Sequence, residues 1–185
     1  MITSSKSNWN PKRLDVRSFA QAGGQLGMAE GVGPLERLNA ECAPGTGGLE
    51  AVSWQVHGEM RTDSAGKPQP WIRVQAGAAL SVVCQRCLGP VKVALEVDRW
   101  YRFVADETTA EAEDEDSEED VLALEPKPDL WMLLEDELLM ALPLVPMHDV
   151  CPEPVVMSVA DEEVDRAEDE APAKNPFAAL ARLKK

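Results

Sequence analysis

The body plan of this 185-residue chain follows from residues 71–97, which read WIRVQAGAALSVVCQRCLGPVKVALEV. Apolar side chains recur at every second position in two runs, and this period is typical of half-buried β-strands. The alternating apolar positions are Ile72, Val74, Ala76, Ala78, Leu80 and Val82, and then Val91, Val93, Leu95 and Val97. Between the runs lies Cys84-Gln85-Arg86-Cys87, so the pattern predicts two strands joined by a tight C-x-x-C turn.

A further strand precedes this pair. Its apolar positions, which alternate with polar ones, are Val52, Trp54, Val56 and Met60. Residues 62–70 are rich in Asp, Ser, Gly and Pro, which favour a turn. Three consecutive strands with short connections are most simply arranged as an antiparallel β-meander.

One amphipathic helix is predicted downstream of the strands. Asp129 is a suitable N-cap, and Pro143 ends the helix because the residue before a proline disfavours helical geometry. The apolar positions that recur at intervals of three and four are Leu130, Leu133, Leu134, Leu138 and Ala141. The expected fold class is therefore α+β, with this helix covering one face of the meander.

The chain is predicted to have four segments. Residues 1–48 are expected to be irregular, with a short helix near Val16–Gln21, because Gly and Pro interrupt them often. Residues 49–151 form the α+β body, interrupted by an acidic loop at 106–120. Residues 152–174 are expected to be an acidic disordered linker, and residues 175–185 a short basic helix with Pro176 in its first turn.

The net charge of −15 is concentrated in two places. Residues 106–120 hold ten acids and no base, and residues 161–170 hold seven acids and one base. Because phosphate binding needs clustered Lys and Arg, this distribution argues against general binding of nucleic acid. The acidic runs are expected either to be solvated and disordered or to attract a basic protein.

The sequence favours a cytoplasmic protein. Residues 1–10 lack the apolar stretch of a secretory signal, and the apolar runs at 130–134 and 138–145 are too short to span a bilayer. A C-x-x-C motif in such a chain points to metal or redox chemistry in a reducing compartment rather than to disulfides. We expect no membrane contact and no small-molecule substrate.

Four residues are candidate metal ligands: Cys84, Cys87, His148 and Cys151. Their number and type suit a structural Zn²⁺, which takes four N or S ligands and leaves no open position for water. The alternative is that the thiols are reduced and buried and that His148 is a hydrogen-bonded turn residue. A thioredoxin-like role is disfavoured, because the motif lacks the strand-to-helix setting. Cys42 is expected to be a bystander.

Two charged groups are candidate partner-binding surfaces. Glu135, Asp136 and Glu137 point in different directions around a helix, so they do not converge on a reacting atom and are expected to face solvent or a partner. Arg86, Lys92, Arg99 and Arg102 form the one local basic cluster, and Arg86 and Arg102 are the candidate RNA contacts. No arrangement of nucleophile and base is visible, so we expect a protein that is not an enzyme.

Three groups of residues give the chain a resemblance to a known family. They are the Cys84-Gln85-Arg86-Cys87 turn, Glu135-Asp136-Glu137 leading into Ala141-Leu142-Pro143 and Pro146-Met147-His148-Asp149, and Asn175-Pro176-Phe177. In this order, across residues 50–185, they resemble the YceD family, whose bacterial members are called large ribosomal RNA subunit accumulation proteins.

The resemblance implies a cytoplasmic, non-catalytic factor needed for the synthesis, processing or stability of 23S rRNA. We expect it to act by binding a basic ribosomal protein or an rRNA precursor. The candidate contact residues are Arg86, Arg102, Glu135, Asp136, Glu137, Asn175, Pro176 and Phe177. Direct rRNA binding and a zinc-stabilised protein-interaction domain are the two alternatives.

Overall fold

Five β-strands form one sheet in the computed structural model, which describes residues 9–27, 34–63 and 66–153. Within those residues the strands are β1 (Gln25–Gly27), β2 (Ala51–Thr62), β3 (Pro68–Val83), β4 (Pro90–Val104) and β5 (Asp120–Ala123). The helices in the same described ranges are α1 (Val16–Gln21), α2 (Glu36–Ala40), α3 (Glu107–Asp114) and α4 (Leu130–Met140). A 3-10 turn at Pro11–Arg13 precedes α1.

The strands lie in the order β1-β2-β3-β4-β5. Neighbouring strands are antiparallel except β4 and β5, which are parallel. In the β3–β4 pair, Trp71 lies opposite Arg102 and Val83 lies opposite Pro90. The predicted α+β class, with a mostly antiparallel sheet and a C-x-x-C turn between two strands, is confirmed.

One face of the sheet forms the main core. The even-numbered side chains of β3 from Ile72 to Val82 are buried, since alternate residues of a strand point to the same face. Helix α4 packs on β3 and β4, with Leu134 and Leu138 almost completely buried. Asp129 caps this helix, accepting a hydrogen bond from the Trp131 N–H at 2.8 Å. The predicted helix is therefore confirmed, and it ends at Met140, ahead of Pro143.

The N-terminal region contributes packed elements. Helix α1 has the predicted bounds, and it lies against β2 and β3. Phe19 of this helix is fully buried beside Gly58, where an added methyl group would lie 2.5 Å from its ring. The sequence did not predict β1, which pairs with β2, or α2, which packs on α4.

Residues 106–120 differ from the acidic disordered loop that the sequence predicted. They contain α3, whose N-cap Asp106 accepts a hydrogen bond from the Thr109 N–H at 2.9 Å. One small residue of the helix, Ala110, is 3% exposed and packs with Val104 and Val121. The acidic segment is held in place by the buried Ala110 and by the ion pairs of Glu113 and Glu119 with Arg102 of β4.

Contacts divide the chain into two units after Val150, and every element named above belongs to the first unit. Of the second unit, the structure describes residues 151–153. The predicted linker beyond residue 153, with its acidic run at 161–170, lies outside the described residues. So does the predicted helix at 175–185 with Asn175, Pro176 and Phe177, and the predicted segment boundaries stay predictions. No helix in the described ranges is long and apolar enough to cross a membrane.

Candidate metal centre

The turn between β3 and β4 places two thiols together. It spans residues 84–89, and the Cys84 N–H donates a hydrogen bond to the Gly89 carbonyl at 2.8 Å. The Leu88 N–H donates to the Cys84 carbonyl at 2.9 Å, and Leu88 has a φ of 61°. This left-handed residue closes the loop around the two cysteines, since L-residues adopt that conformation only in tight turns.

The segment that follows α4 lies beside this turn. The Gln85 N–H donates to the Pro146 carbonyl at 2.8 Å. The Arg86 guanidinium donates to the His148 carbonyl at 3.4 Å. Pro143 and Pro146 restrict the backbone here, so the segment reaches the turn in a fixed conformation. Residues that are more than 60 positions apart in the sequence thereby become neighbours.

The ligand atoms of Cys84, Cys87, His148 and Cys151 all lie within 4.8 Å of one another. The Cys87 Sγ and the His148 Nδ1 are 3.4 Å apart. The other ring nitrogen, Nε2, lies 3.0 Å from the Pro90 carbonyl. Because a carbonyl can only accept, Nε2 carries a proton here, and Nδ1 is the ring nitrogen that would bind a metal.

Cys84 has the environment of a thiolate. It is fully buried, and burial by itself raises the pKa of its thiol. Hydrogen bonds from the backbone N–H groups of Cys87, His148 and Arg86 oppose this effect, so the pKa falls to about 5. Hydrogen bonds donated to sulfur favour the charged form, which is the form that binds a metal.

This donor set fits a tetrahedral zinc ion. With Zn–S near 2.3 Å and Zn–N near 2.0 Å, tetrahedral sulfur and nitrogen ligands lie about 3.5 Å apart. The 3.4 Å separation of Cys87 and His148 is close to that value. Cys151 follows His148 by three residues, so one short stretch of chain carries both. Four protein ligands would complete the shell, which makes the site structural in character.

The three consecutive acids of α4 lie in different environments. Glu135 accepts hydrogen bonds from the backbone N–H groups of Arg37 and Leu38 at 2.8 and 3.2 Å. It also accepts one from the Arg37 guanidinium at 2.9 Å, and it is 6% exposed. Glu135 and Glu137 are thus buried, contrary to the expected solvent-facing position, whereas Asp136 is half exposed and pairs with Arg37. Glu135 joins α4 to the start of α2, a role that the sequence did not reveal.

The predicted basic cluster is divided among separate partners. Arg102 is 11% exposed and bonds Glu113, Glu119 and Ser117. Arg99 lies 3.6 Å from Glu137, and Lys92 lies 2.9 Å from Glu50. Arg86 is exposed beside the metal centre. The structure therefore does not bring the four residues together as one basic patch.

An ordered aromatic group lies on the open face of the sheet. Trp71 and Trp100 meet edge to face with ring centroids 6.4 Å apart. The Arg61 guanidinium lies 4.4 and 3.8 Å from the two ring centroids. The rings are therefore already covered by a cation of the same chain, which leaves less of their faces for stacking with bases.

Comparison with known proteins shows which family the chain belongs to. A family model described as large ribosomal RNA subunit accumulation protein YceD matches residues 72–184, more than half of the chain. The chain belongs to the YceD family. The matched region starts in β3 and includes all four candidate metal ligands.

A curated relative from Haemophilus influenzae, named large ribosomal RNA subunit accumulation protein YceD, is 40% identical to the chain over 106 residues. This alignment covers 55% of the chain and 58% of the relative, so it spans little more than half the length of either protein. No solved structure matches the chain.

Proposed function

We propose that this chain is a non-catalytic factor that promotes accumulation of large-subunit rRNA by binding a component of the assembling subunit. The observation that carries this proposal is the match to the YceD family over residues 72–184. The printed name of the Haemophilus relative links that protein to accumulation of the same RNA. A ribosome-related role also supports a cytoplasmic location.

The chemistry of the described residues supports binding rather than catalysis. Glu135 and Glu137 are used in contacts within the chain, and four ligands would leave no site on the metal for a substrate. We infer that Zn²⁺, when bound, links the β3–β4 turn to the segment after α4. Its role is to stabilise the conformation of the turn and of this segment, since a metal with four protein ligands stabilises a fold.

A basic ribosomal protein is the partner that the charges favour. The acidic run at 106–120 is on the surface around α3, where ordered carboxylates attract cations without a cost of ordering the chain. The run at 161–170 adds seven acids. Deleting 161–170 should weaken binding to purified basic large-subunit proteins, and an unchanged affinity would remove this acidic run from the mechanism.

Direct rRNA binding is the second candidate, and it would use Arg86 and Arg102. The ion pairs of Arg102 with Glu113 and Glu119 make this candidate weaker, because those pairs must open before phosphate can bind. The test of direct rRNA binding uses purified rRNA that is free of ribosomal protein. If the chain contacts phosphates, its affinity for this rRNA should fall steeply with ionic strength.

The deciding experiment is complementation in a bacterium whose own YceD-family gene is deleted. We expect a lowered ratio of 23S to 16S rRNA in the deletion strain and recovery of the ratio when this chain is expressed. The Met132→Ala variant, changed at an exposed side chain of α4 and expressed at the same level, is a control and should restore the ratio as the unchanged chain does. A ratio that is unaffected by the deletion, or not restored by well-expressed chain, would overturn the proposed function.

A further inference from the structure

Exposed apolar side chains are concentrated in the two segments of the chain that carry the candidate metal ligands. Among the residues that the structure describes, seven large apolar side chains are exposed. Six of them lie in the turn after β3 or in residues 140–150: Leu88, Met140, Leu144, Val145, Met147 and Val150. Single exposed apolar residues are ordinary, but a cluster of this kind marks an interaction surface.

A groove adjoins this cluster. It has a volume of about 550 Å³, within the range that protein binding pockets span. Apolar side chains of β3 and of α4 and its following segment line it, among them Val82, Leu139, Leu142 and Leu144. Cys42 also lines it, and Glu41 is the single charged residue of the lining. Leu144, which is 100% exposed, belongs to both the groove and the exposed cluster.

The walls of the groove are held by the backbone. The Leu142 N–H donates to the Leu139 carbonyl at 3.2 Å, which extends the end of α4. Pro143 and Pro146 follow, and the Gln85 N–H fixes the Pro146 carbonyl at 2.8 Å. A surface that is ordered before binding loses less conformational entropy when a partner docks. The exposed apolar side chains are thus carried by backbone that hydrogen bonds and prolines restrict.

The charge around the groove selects the partner. Residues 129–153 contain six acids and no Lys or Arg. Four of the acids make contacts within the chain: Asp129 caps α4, Glu135 and Asp136 bond Arg37, and Glu137 lies 3.6 Å from Arg99. Glu41 lines the groove, and Asp149 is an exposed acid of the segment that follows α4. The nearby base, Arg86, donates to the His148 carbonyl. An occupant therefore needs an apolar face for the groove and positive charges at its margin.

We infer that this groove binds a basic amphipathic helix of a partner protein, with its apolar face in the groove and its Lys or Arg side chains beside Glu41 and Asp149. This is the helix-in-groove mode of recognition. The inference rests on the proposed binding function and deepens it, since it names the surface that meets the basic partner. The metal centre then acts on binding indirectly, by fixing the wall of the groove.

The probe is a synthetic amphipathic helix of Leu and Lys that carries a fluorophore, and its affinity for the full chain is measured by anisotropy. Leu144→Asp should weaken binding by about tenfold or more, because it places a charge where the bound peptide would cover an apolar side chain. Glu41→Lys should weaken binding a few-fold at low salt and less at high salt. Met132→Asp, at an exposed apolar residue outside the groove, is the matched control and should leave affinity unchanged.

A second measurement does not depend on substitution. Alkylation of Cys42 in the wild-type chain, located by mass spectrometry, should slow when the Leu/Lys peptide is present. A peptide of the same composition in scrambled order, without an amphipathic face, should not protect Cys42. A Leu/Glu peptide should not protect it either.

Three results would overturn the inference. They are equal affinity of the Leu144→Asp and Met132→Asp variants, equal binding of the scrambled peptide, and a wild-type dimer that Leu144→Asp converts to a monomer. The last result would assign the groove to a second copy of the chain. The rRNA ratio in the complementation assay tests the proposed function separately, so the groove inference can fail while that function stands, and the reverse.

Discussion

At the scale of single residues, Glu135 has the clearest structural role. Its carboxylate satisfies two backbone N–H groups at the start of α2 and one guanidinium N–H, all from Arg37 and Leu38. A buried carboxylate is tolerated only when its hydrogen bonds are made. The residue beside it, Asp136, bonds the same Arg37 but is half exposed. The two side chains thus offer a matched comparison.

We expect Glu135→Gln to lower the free energy of unfolding by about 1.5–3 kcal/mol, the range for hydrogen bonds to a charged group. Asp136→Asn should cost no more than about 1 kcal/mol, because exposed ion pairs contribute little. Urea unfolding of both variants measures the difference. Equal costs would mean that Glu135 is not the connection between α4 and α2.

Sequence reasoning found the candidate metal ligands but not this carboxylate. Cys84, Cys87, His148 and Cys151 are uncommon residue types, so their spacing alone predicted a site, and the structure brings their ligand atoms together. Glu135 is one acid among many, and its partner Arg37 is about a hundred residues away. Nothing local distinguishes it from Asp136, because burial depends on how α2 packs on α4.

At the scale of elements, the three long strands β2, β3 and β4 and the helix α4 were predictable because their signal is local. Alternation along β3 and the apolar repeat of α4 follow from which side each residue faces. Helix α3 was not predictable in this way. Ten acids in residues 106–120 outweigh the one buried alanine in any prediction from composition. The contacts that order the segment are the burial of Ala110, the Asp106 cap and the ion pairs of Arg102 with Glu113 and Glu119.

We expect Ala110→Glu to unfold α3, since it places a charge between Val104 and Val121. The measurement is limited proteolysis with a protease that cleaves after acids, followed by mass spectrometry of the first cleavage sites. Cleavage within 106–120 should become fast in Ala110→Glu and stay slow in Ala112→Glu, an exposed position of the same helix. Similar cleavage of both variants would contradict the anchoring role of Ala110.

The caps of α1 and α3 give the protein a pH dependence. The Ser18 N–H holds the pKa of Asp15 below its usual value, and the Thr109 N–H does the same for the pKa of Asp106. Because these pKa values are lower in the folded state, the carboxylates stabilise it above the unfolded pKa of about 3.9, and this contribution is lost as pH falls through the folded-state pKa.

The expected result is a fall in melting temperature on acidification below about pH 4 that is shallower in the Asp15→Asn, Asp106→Asn double variant. Asparagine keeps the cap hydrogen bond but does not titrate. Glu111→Gln, at an exposed acid of α3, is the control. Parallel pH profiles for the wild type and the double variant would show that other groups carry the acid sensitivity.

At the scale of the whole molecule, the candidate metal ligands come from two distant parts of the chain. The turn after β3 and the segment after α4 meet through the Gln85–Pro146 hydrogen bond and the Cys87–His148 pair. The wall of the apolar groove is continuous with that segment. Loss of the metal should therefore reduce both stability and peptide binding.

We expect purified chain to contain about one zinc ion, the stoichiometry of a single four-ligand site. Cys87→Ser should lose it, while Cys42→Ser, outside the ligand set, should keep it. A strong chelator should lower the melting temperature of the wild type and of Cys42→Ser but not that of Cys87→Ser. A wild-type chain that contains no zinc and is insensitive to chelator would leave the thiols as buried, reduced side chains.

The short β5 has one more consequence. It pairs with β4 only from Tyr101 to Val104, so in the described part of the chain residues 90–100 of β4 pair on one side alone, with β3. An open strand of this length can recruit a strand from another molecule and start aggregation. Lys92, Glu96, Asp98 and Arg99 place charges of both signs along that edge. Such charges disfavour pairing of the exposed edge with a strand of another molecule, so neutralising them should favour self-association through the sheet.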